Sequence, residues 1–293
     1  MQTFSKPALP SKDLVQLLKS RNLKISDEEN AIRYLDNIGY YRLSAYFHPY
    51  YKEHEVFKEG ATFENVLALY IFDRKLRLLA LDPLQRIEVA VRTAISNHMS
   101  LQYGPFWFED VRLFRDINKH SDFITMATSK AGAQNRHLSQ ACKHYHTNYG
   151  DHVLPPSWIL SEELSMGCWS KLFANFSCKQ DKRAIAGAFH FVWTDFESWL
   201  TYLTNVRNLV AHHNRFWNVT LPVLPAKMSH YIIDAGIIDG AYTHFVVIYC
   251  LLKTLVHKSD WPLNLASLLD TCPLDVHHHM KFPVGWRNFL FWQ

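Results

Sequence analysis

The segment Arg207-Asn208-Leu209-Val210-Ala211-His212-His213-Asn214-Arg215-Phe216-Trp217-Asn218 is where this chain concentrates groups able to do chemistry. It places permanent cations, titratable imidazoles and amide donors within about three helical turns. Arginine presents a planar fork that matches phosphate oxygens. An imidazole, with an unperturbed pKa near 6.5, moves protons at neutral pH. Together these groups suit phosphoryl chemistry without a metal. In RNA cleavage of that kind a base takes the proton of a ribose 2′-OH, whose oxygen attacks the adjacent phosphate. An acid protonates the leaving 5′-oxygen, and a cation stabilises the charged transition state. Five positions along an ideal helix turn through about 500°, so Arg207 and His212 fall roughly 140° apart. They share a face only if the helix ends or distorts near His212, as Asn214 would encourage. Otherwise a second copy of the chain completes the site across a two-fold axis, bringing one base and one acid. A capping and salt-bridge arrangement at a helix end uses the same residue types.

The elements around this segment read as helices. Ser11 can cap a helix carrying Leu14, Leu17 and Leu18, and Ser26-Asp27-Glu28-Glu29 reads as a capping box for a second helix that Gly39 ends. Residues 11–38 could also form a helix-turn-helix, but the apolar run Tyr40 to Phe47 favours a layer packed on the main body. Phe63 to Leu81 is predicted as one helix. Asp82-Pro83-Leu84-Gln85 is then predicted to start another, with Asp82 as N-cap and Pro83 at N1, running to about Leu101. Its core stripe is Leu84, Ile87, Val91 and Ile95, and Glu88 and Arg92 share a face. After the polar stretch 116–150, Pro155-Pro156 precedes a helical stretch from Trp158 to Phe176. Thr194-Asp195-Phe196-Glu197 reads as a capping box for the helix that ends in the arginine–histidine segment. A further helix is expected from about Ala241 to Lys258, with an irregular aromatic stretch from Cys272 to Gln293. The expected fold is all-α, organised as an N-terminal helical module (1–58), a main helical domain (59–260) and an irregular C-terminal segment (261–293).

Composition sets the outer bounds. The chain has 293 residues, 48% hydrophobic and 20% charged, which is globular composition. Its 10 glycines are about half the usual share of roughly 7%, which leans helical. Neither GxxxxGK[ST] nor GxGxxG occurs, so a P-loop or dinucleotide site is disfavoured. The net charge of +4 is compatible with an anionic partner. Five cysteines with no CxxC pair point to reduced thiols and a cytoplasmic setting. The longest purely apolar run, Phe245 to Leu252, is far short of a membrane span of roughly 18 residues. His277-His278-His279 cannot all face one ion without distortion. No metal or cofactor is expected.

The text of the chain also resembles a known family. Arg207-Asn208-x-x-x-His212 resembles the R-x(4–6)-H signature of HEPN-superfamily ribonucleases. Lys6-Pro-x-Leu-Pro10, Ile38-Gly-Tyr-Tyr-Arg-Leu-Ser-Ala-Tyr46, Asp73-Arg-Lys-Leu-Arg77 and Arg86-Ile-Glu-Val-Ala-Val-Arg92 resemble the Abi family of bacterial abortive-infection (phage-resistance) proteins. So do Pro156-Ser-Trp158 with Glu163-Leu-Ser-Met-Gly167, Arg207 to Asn218, and Phe282-Pro-x-x-Trp286. The resemblance implies a HEPN-like helical bundle, similar to the nuclease domains of RNA-guided type VI CRISPR effectors. It implies a toxin-like, metal-independent ribonuclease, homodimeric, with Arg207 and His212 as catalytic pair and Asn208 orienting the site. It equally admits a non-catalytic protein bound to a dedicated structured non-coding RNA.

Other residues are candidates for support. Glu88 and Arg92 form either a buried ion pair or a pair that lines the RNA cleft and orients Arg207 or His212. His213, Asn214 and Arg215 adjoin the motif; Arg215 is placed on a phosphate or in solvent, and His213 in a structural role. Lys130, Arg136, Lys143 and Tyr145 could track an RNA backbone and stack its bases. A helical protein that senses a phage component, with no RNA bound, is the remaining alternative.

Overall fold

The computed structural model describes residues 7–226, 228–232, 235, 236 and 238–293. Lys6, with which one of the family-like blocks begins, lies outside the described residues. Among the described residues the chain is all-α apart from one small hairpin. In order it forms α1 (Ser11–Ser20), α2 (Glu28–Ile38), α3 (Tyr40–Ser44), the antiparallel hairpin β1 (Tyr51–Glu53) and β2 (Val56–Phe57), and α4 (Phe63–Tyr103). Then follow α5 (Ile117–Ala131), α6 (Gln140–Asn148), α7 (Ser157–Glu163), α8 (Met166–Asn175), α9 (Lys179–Gly187) and α10 (Trp193–Ala211). The chain closes with α11 (Met228–Tyr231), α12 (Tyr242–Leu255), α13 (Trp261–Leu269) and α14 (Val276–His279).

The central element is α4, 41 residues and about 60 Å long. Thr62 and Asn65 exchange side-chain and backbone hydrogen bonds in a capping box at its start, and Gly104, at φ +89°, ends it. Phe63, Val66, Leu69, Phe72, Leu76, Ala80, Leu84, Ile87, Val91, Ile95 and Met99 are buried at helical spacing along it. It packs against α3, α7, α8, α9, α10, α12 and α13.

The expected break at Asp82-Pro83 does not occur. Proline has no N–H to give the carbonyl four residues back, and in a helix interior it costs about 3 kcal/mol. The Leu79 carbonyl instead accepts a hydrogen bond from Trp261 Nε1 on α13 at 2.9 Å. Pro83 is buried, so a distant tryptophan keeps the helix continuous where local sequence would end it.

Three other expected starts differ. The N-cap of α10 is Val192, with no side-chain bond, and the Thr194 hydroxyl turns to the Asp195 carboxylate. The N-cap of α1 is Pro10, and the Ser11 hydroxyl donates to Asp36. The Ser26–Glu29 box does not form: the Ser26 hydroxyl donates to Glu64 at 2.7 Å, and Asp27 caps α2 instead, accepting from the Asn30 N–H. The stretch expected from Trp158 to Phe176 is two helices, α7 and α8, broken at Leu164–Ser165.

α12 is buried on nearly every side, as its uniformly apolar sequence requires, and packs on α4 and α10. The C-terminal segment opens with α13 and closes over α12: Tyr242, Phe245 and Tyr249 meet Phe282, Phe291 and Trp292. One buried cluster runs from Val15 to Trp292, so the N-terminal module and the C-terminal segment share the core of the main domain.

Candidate active site

α10 delivers the arginine–histidine segment. Phe196, Trp199, Leu200, Leu203, Val206 and Val210 bury one of its faces, leaving Arg207 half-exposed and Asn208 exposed. The helix ends at Ala211. The His213 N–H bonds the Val210 carbonyl, and the Asn214 N–H bonds the Leu209 carbonyl. That is a Schellman turn with His213 in its left-handed position, at φ +58°. Glycine or asparagine is usual there, and histidine costs about 1–2 kcal/mol by comparison. The helix does end near His212, but this does not bring Arg207 and His212 onto one face.

Glu88 on α4 organises the arginine. It is buried, and its Oε2 accepts from Arg207 Nε at 3.1 Å. Its Oε1 accepts from the Met166 N–H at the start of α8, also at 3.1 Å. Arg92 lies 3.7 Å from the same oxygen. Arg92 itself donates to the Ser161 and Leu164 carbonyls, at 2.7 and 3.1 Å, satisfying the end of α7. Of the pair, Glu88 reaches Arg207, while Arg92 holds the break between α7 and α8.

The residues after the helix are clamped. Buried Asp73 accepts the backbone N–H groups of Phe216 and Trp217, the Tyr46 hydroxyl at 2.6 Å and Arg77 at 2.5 Å. Burial and the Asp73 charge push the Tyr46 phenol well above its ordinary range. Arg77 also donates to the Asn214 carbonyl at 3.1 Å, and Arg42 to the His213 carbonyl at 2.6 Å. Arg215 donates to the Ala45 carbonyl at 2.9 Å, so it ties the segment to the N-terminal module rather than facing a phosphate or open solvent. Three blocks far apart in sequence, at 42–46, 73–77 and 213–217, therefore meet at the end of α10.

Two grooves flank that end. The first, about 370 Å³, is lined by Arg42, Arg74, Arg77, Glu88, Arg207 and His213, with Tyr70, Leu78 and Leu81 as apolar wall. Arg74 is exposed and has no ion-pair partner among the described residues. Arg77 is paired with Asp73 and Arg207 with Glu88, so Arg42 and Arg74 give the groove its excess positive charge, which favours an anionic ligand. The second groove, about 350 Å³, holds Asn208, His212 and Asn214 beside Asn205 and Leu209. Within one chain Arg207 and His212 thus open onto different grooves. His213 shares the groove of Arg207.

Sequence reasoning did not single out Arg42, Arg74 or Arg77 as site residues. The signal available was a stripe on α4, Arg74, Leu78, Leu81, Gln85 and Glu88, at helical spacing. Lys130, Arg136 and Lys143 are exposed on and between α5 and α6 and line neither groove. Tyr145 is not available to stack a base. It is only 5% exposed, packed between Tyr149 and Phe106, and the exposed ring there is Tyr149. His277 donates through Nδ1 to the Phe282 carbonyl, and His279 lies against the Trp217 ring.

Residues 33–218 match a family model described as Abi-like protein, which covers more than half of the chain. The chain belongs to the Abi-like family. That family is named for abortive infection, a response to phage. The Abi-like region begins within α2 and stops at Asn218, so it takes in the clamp, Glu88 and the whole arginine–histidine segment. No curated protein and no solved structure matches the chain. No helix among the described residues is long and apolar enough to cross a membrane.

Proposed function

We propose that this Abi-like chain is a metal-independent endoribonuclease of the HEPN type that acts in phage defence in the cytoplasm. Arg207 steadies the charged phosphate and His212 moves a proton. The 2′-oxygen displaces the 5′-oxygen, leaving a 2′,3′-cyclic phosphate and a 5′-hydroxyl. The observation that supports this reading most is Arg207, aimed by Glu88 into a groove of four arginines at a helix end that carries two imidazoles. A homodimer is the natural assembly, because a second copy can set its His212 opposite Arg207.

The test is cleavage of total cellular RNA in EDTA. Wild type should cut, and Arg207→Ala and His212→Ala should each lose cleavage and toxicity while remaining folded. A strict Mg²⁺ requirement, or full activity in either variant, overturns the mechanism.

The separation of Arg207 and His212 onto two grooves favours one other reading, a non-catalytic protein that holds a structured non-coding RNA. It predicts a specific copurifying RNA, bound in a salt-dependent way, with no cleavage by wild type.

A further inference from the structure

The Schellman turn stands as a ridge between the two grooves, with His213 lining one and His212 the other. The R-x(4–6)-H spacing admits both histidines, so it does not choose between them. The structure adds two observations about His213. It shares a groove with Arg207, Arg74 and Glu88. It also occupies a left-handed backbone position, φ +58°, where glycine would be unstrained. The strain is held in place by Arg42, which fixes the His213 carbonyl, and by the paired turn bonds of His213 and Asn214. His190 takes the same left-handed turn after α9, so the backbone alone does not single out His213; the groove it shares with Arg207 does.

We propose that His213 is the second proton-transfer group of the site, because it lines the groove of Arg207, onto which His212 of the same chain does not open. The proposal rests on the ribonuclease reading above. An RNA strand lying in this groove sets its phosphate by Arg207. The 2′-hydroxyl proton passes to the neutral imidazole of His213 as the 2′-oxygen bonds to phosphorus. The bond from phosphorus to the 5′-oxygen breaks, and that oxygen takes a proton from the imidazolium of the His212 that a second copy sets opposite Arg207. Exchange with water then returns each histidine to its starting form, so no metal or further reactant is consumed.

The deciding variant is His213→Gly, which removes the imidazole and suits the backbone; His213→Asn, also tolerated in a left-handed turn, repeats the test. Both should keep or raise the melting temperature while cleavage falls about 100-fold or more. The bell-shaped pH–rate profile of wild type should lose one limb in each variant, which a merely structural residue would not cause. Wild-type rate and profile in His213→Gly, with Arg207→Ala inactive, overturn this proposal and leave the ribonuclease reading standing. A wild-type protein that leaves RNA intact overturns both.

Discussion

Glu88 and Arg207 are 119 residues apart and meet at 3.1 Å, the buried carboxylate holding the guanidinium by Nε. The contact uses Nε, and the two terminal nitrogens of Arg207 have no hydrogen-bond partner among the described residues. Glu88 divides its two oxygens between this arginine and the first N–H of α8, so packing of α8 and aim of Arg207 are set by one side chain.

Glu88→Gln should separate those two duties. Glutamine keeps an acceptor for Met166 but loses the charge that holds Arg207, so cleavage should fall by about 10- to 100-fold with little change in stability. Glu88→Ala leaves a buried N–H unpaired and should cost a further 1–3 kcal/mol or so in urea unfolding. Equal stability losses in the two variants would count against a specific aiming role.

Arg74 should act through charge alone, since it is exposed and carries no protein partner among the described residues. Arg74→Ala should weaken RNA binding and reduce the slope of log affinity against log salt by about 1, with the melting temperature unchanged. A slope equal to wild type places the phosphate path elsewhere.

The Trp261–Leu79 bond predicts a coupling. Trp261→Phe leaves the Leu79 carbonyl without a donor and should cost about 1–2 kcal/mol beyond the change in packing. Pro83→Ala restores an N–H for that carbonyl, so the penalty of Trp261→Phe should shrink in its presence. A double-mutant cycle that shows additivity would falsify this account of the unbroken helix.

His244 gives the fold an acid limit. Its Nε2–H donates to the Val219 carbonyl at 2.8 Å and its Nδ1 accepts from the Tyr202 hydroxyl at 2.8 Å. Burial lowers its pKa to about 4, against 6.5 for the free group. The unfolded chain takes up the proton below pH 6.5, and the folded chain only near pH 4. Stability is therefore full above pH 6.5 and declines toward pH 4, by about 3 kcal/mol from this group. His244→Gln should flatten that part of the stability–pH curve; an unchanged slope assigns the acid limit to other groups.

The sequence carried the helical class, the existence of α2 and the core stripe of α4. These rest on local patterning, and local patterning survives folding. What it did not carry was decided by partners far along the chain. Pro83 reads as a helix start until Trp261 is known to reach Leu79. Thr194 reads as a cap until its hydroxyl is seen at Asp195. Tyr145 reads as a stacking ring because aromatic residues in a basic stretch look alike whether buried or free. Arg207, His212 and Glu88 stood out as candidates from residue type, spacing and the family resemblance, but the contact of Glu88 with Arg207 and the separate groove of His212 did not. Nor did the groove of Arg42, Arg74 and Arg77, because it forms only when two remote blocks close around α10.

That closure also sets an order in time. Asp73 is among the first third of the chain to leave the ribosome, yet the Phe216 and Trp217 amides it binds belong to residues made much later. Until they emerge, the floor of the arginine groove has no Arg207, no His213 and no clamp. The nascent chain accordingly passes most of its synthesis without a finished groove, and the site comes into being close to the moment when the rest of the molecule is ready to enclose it.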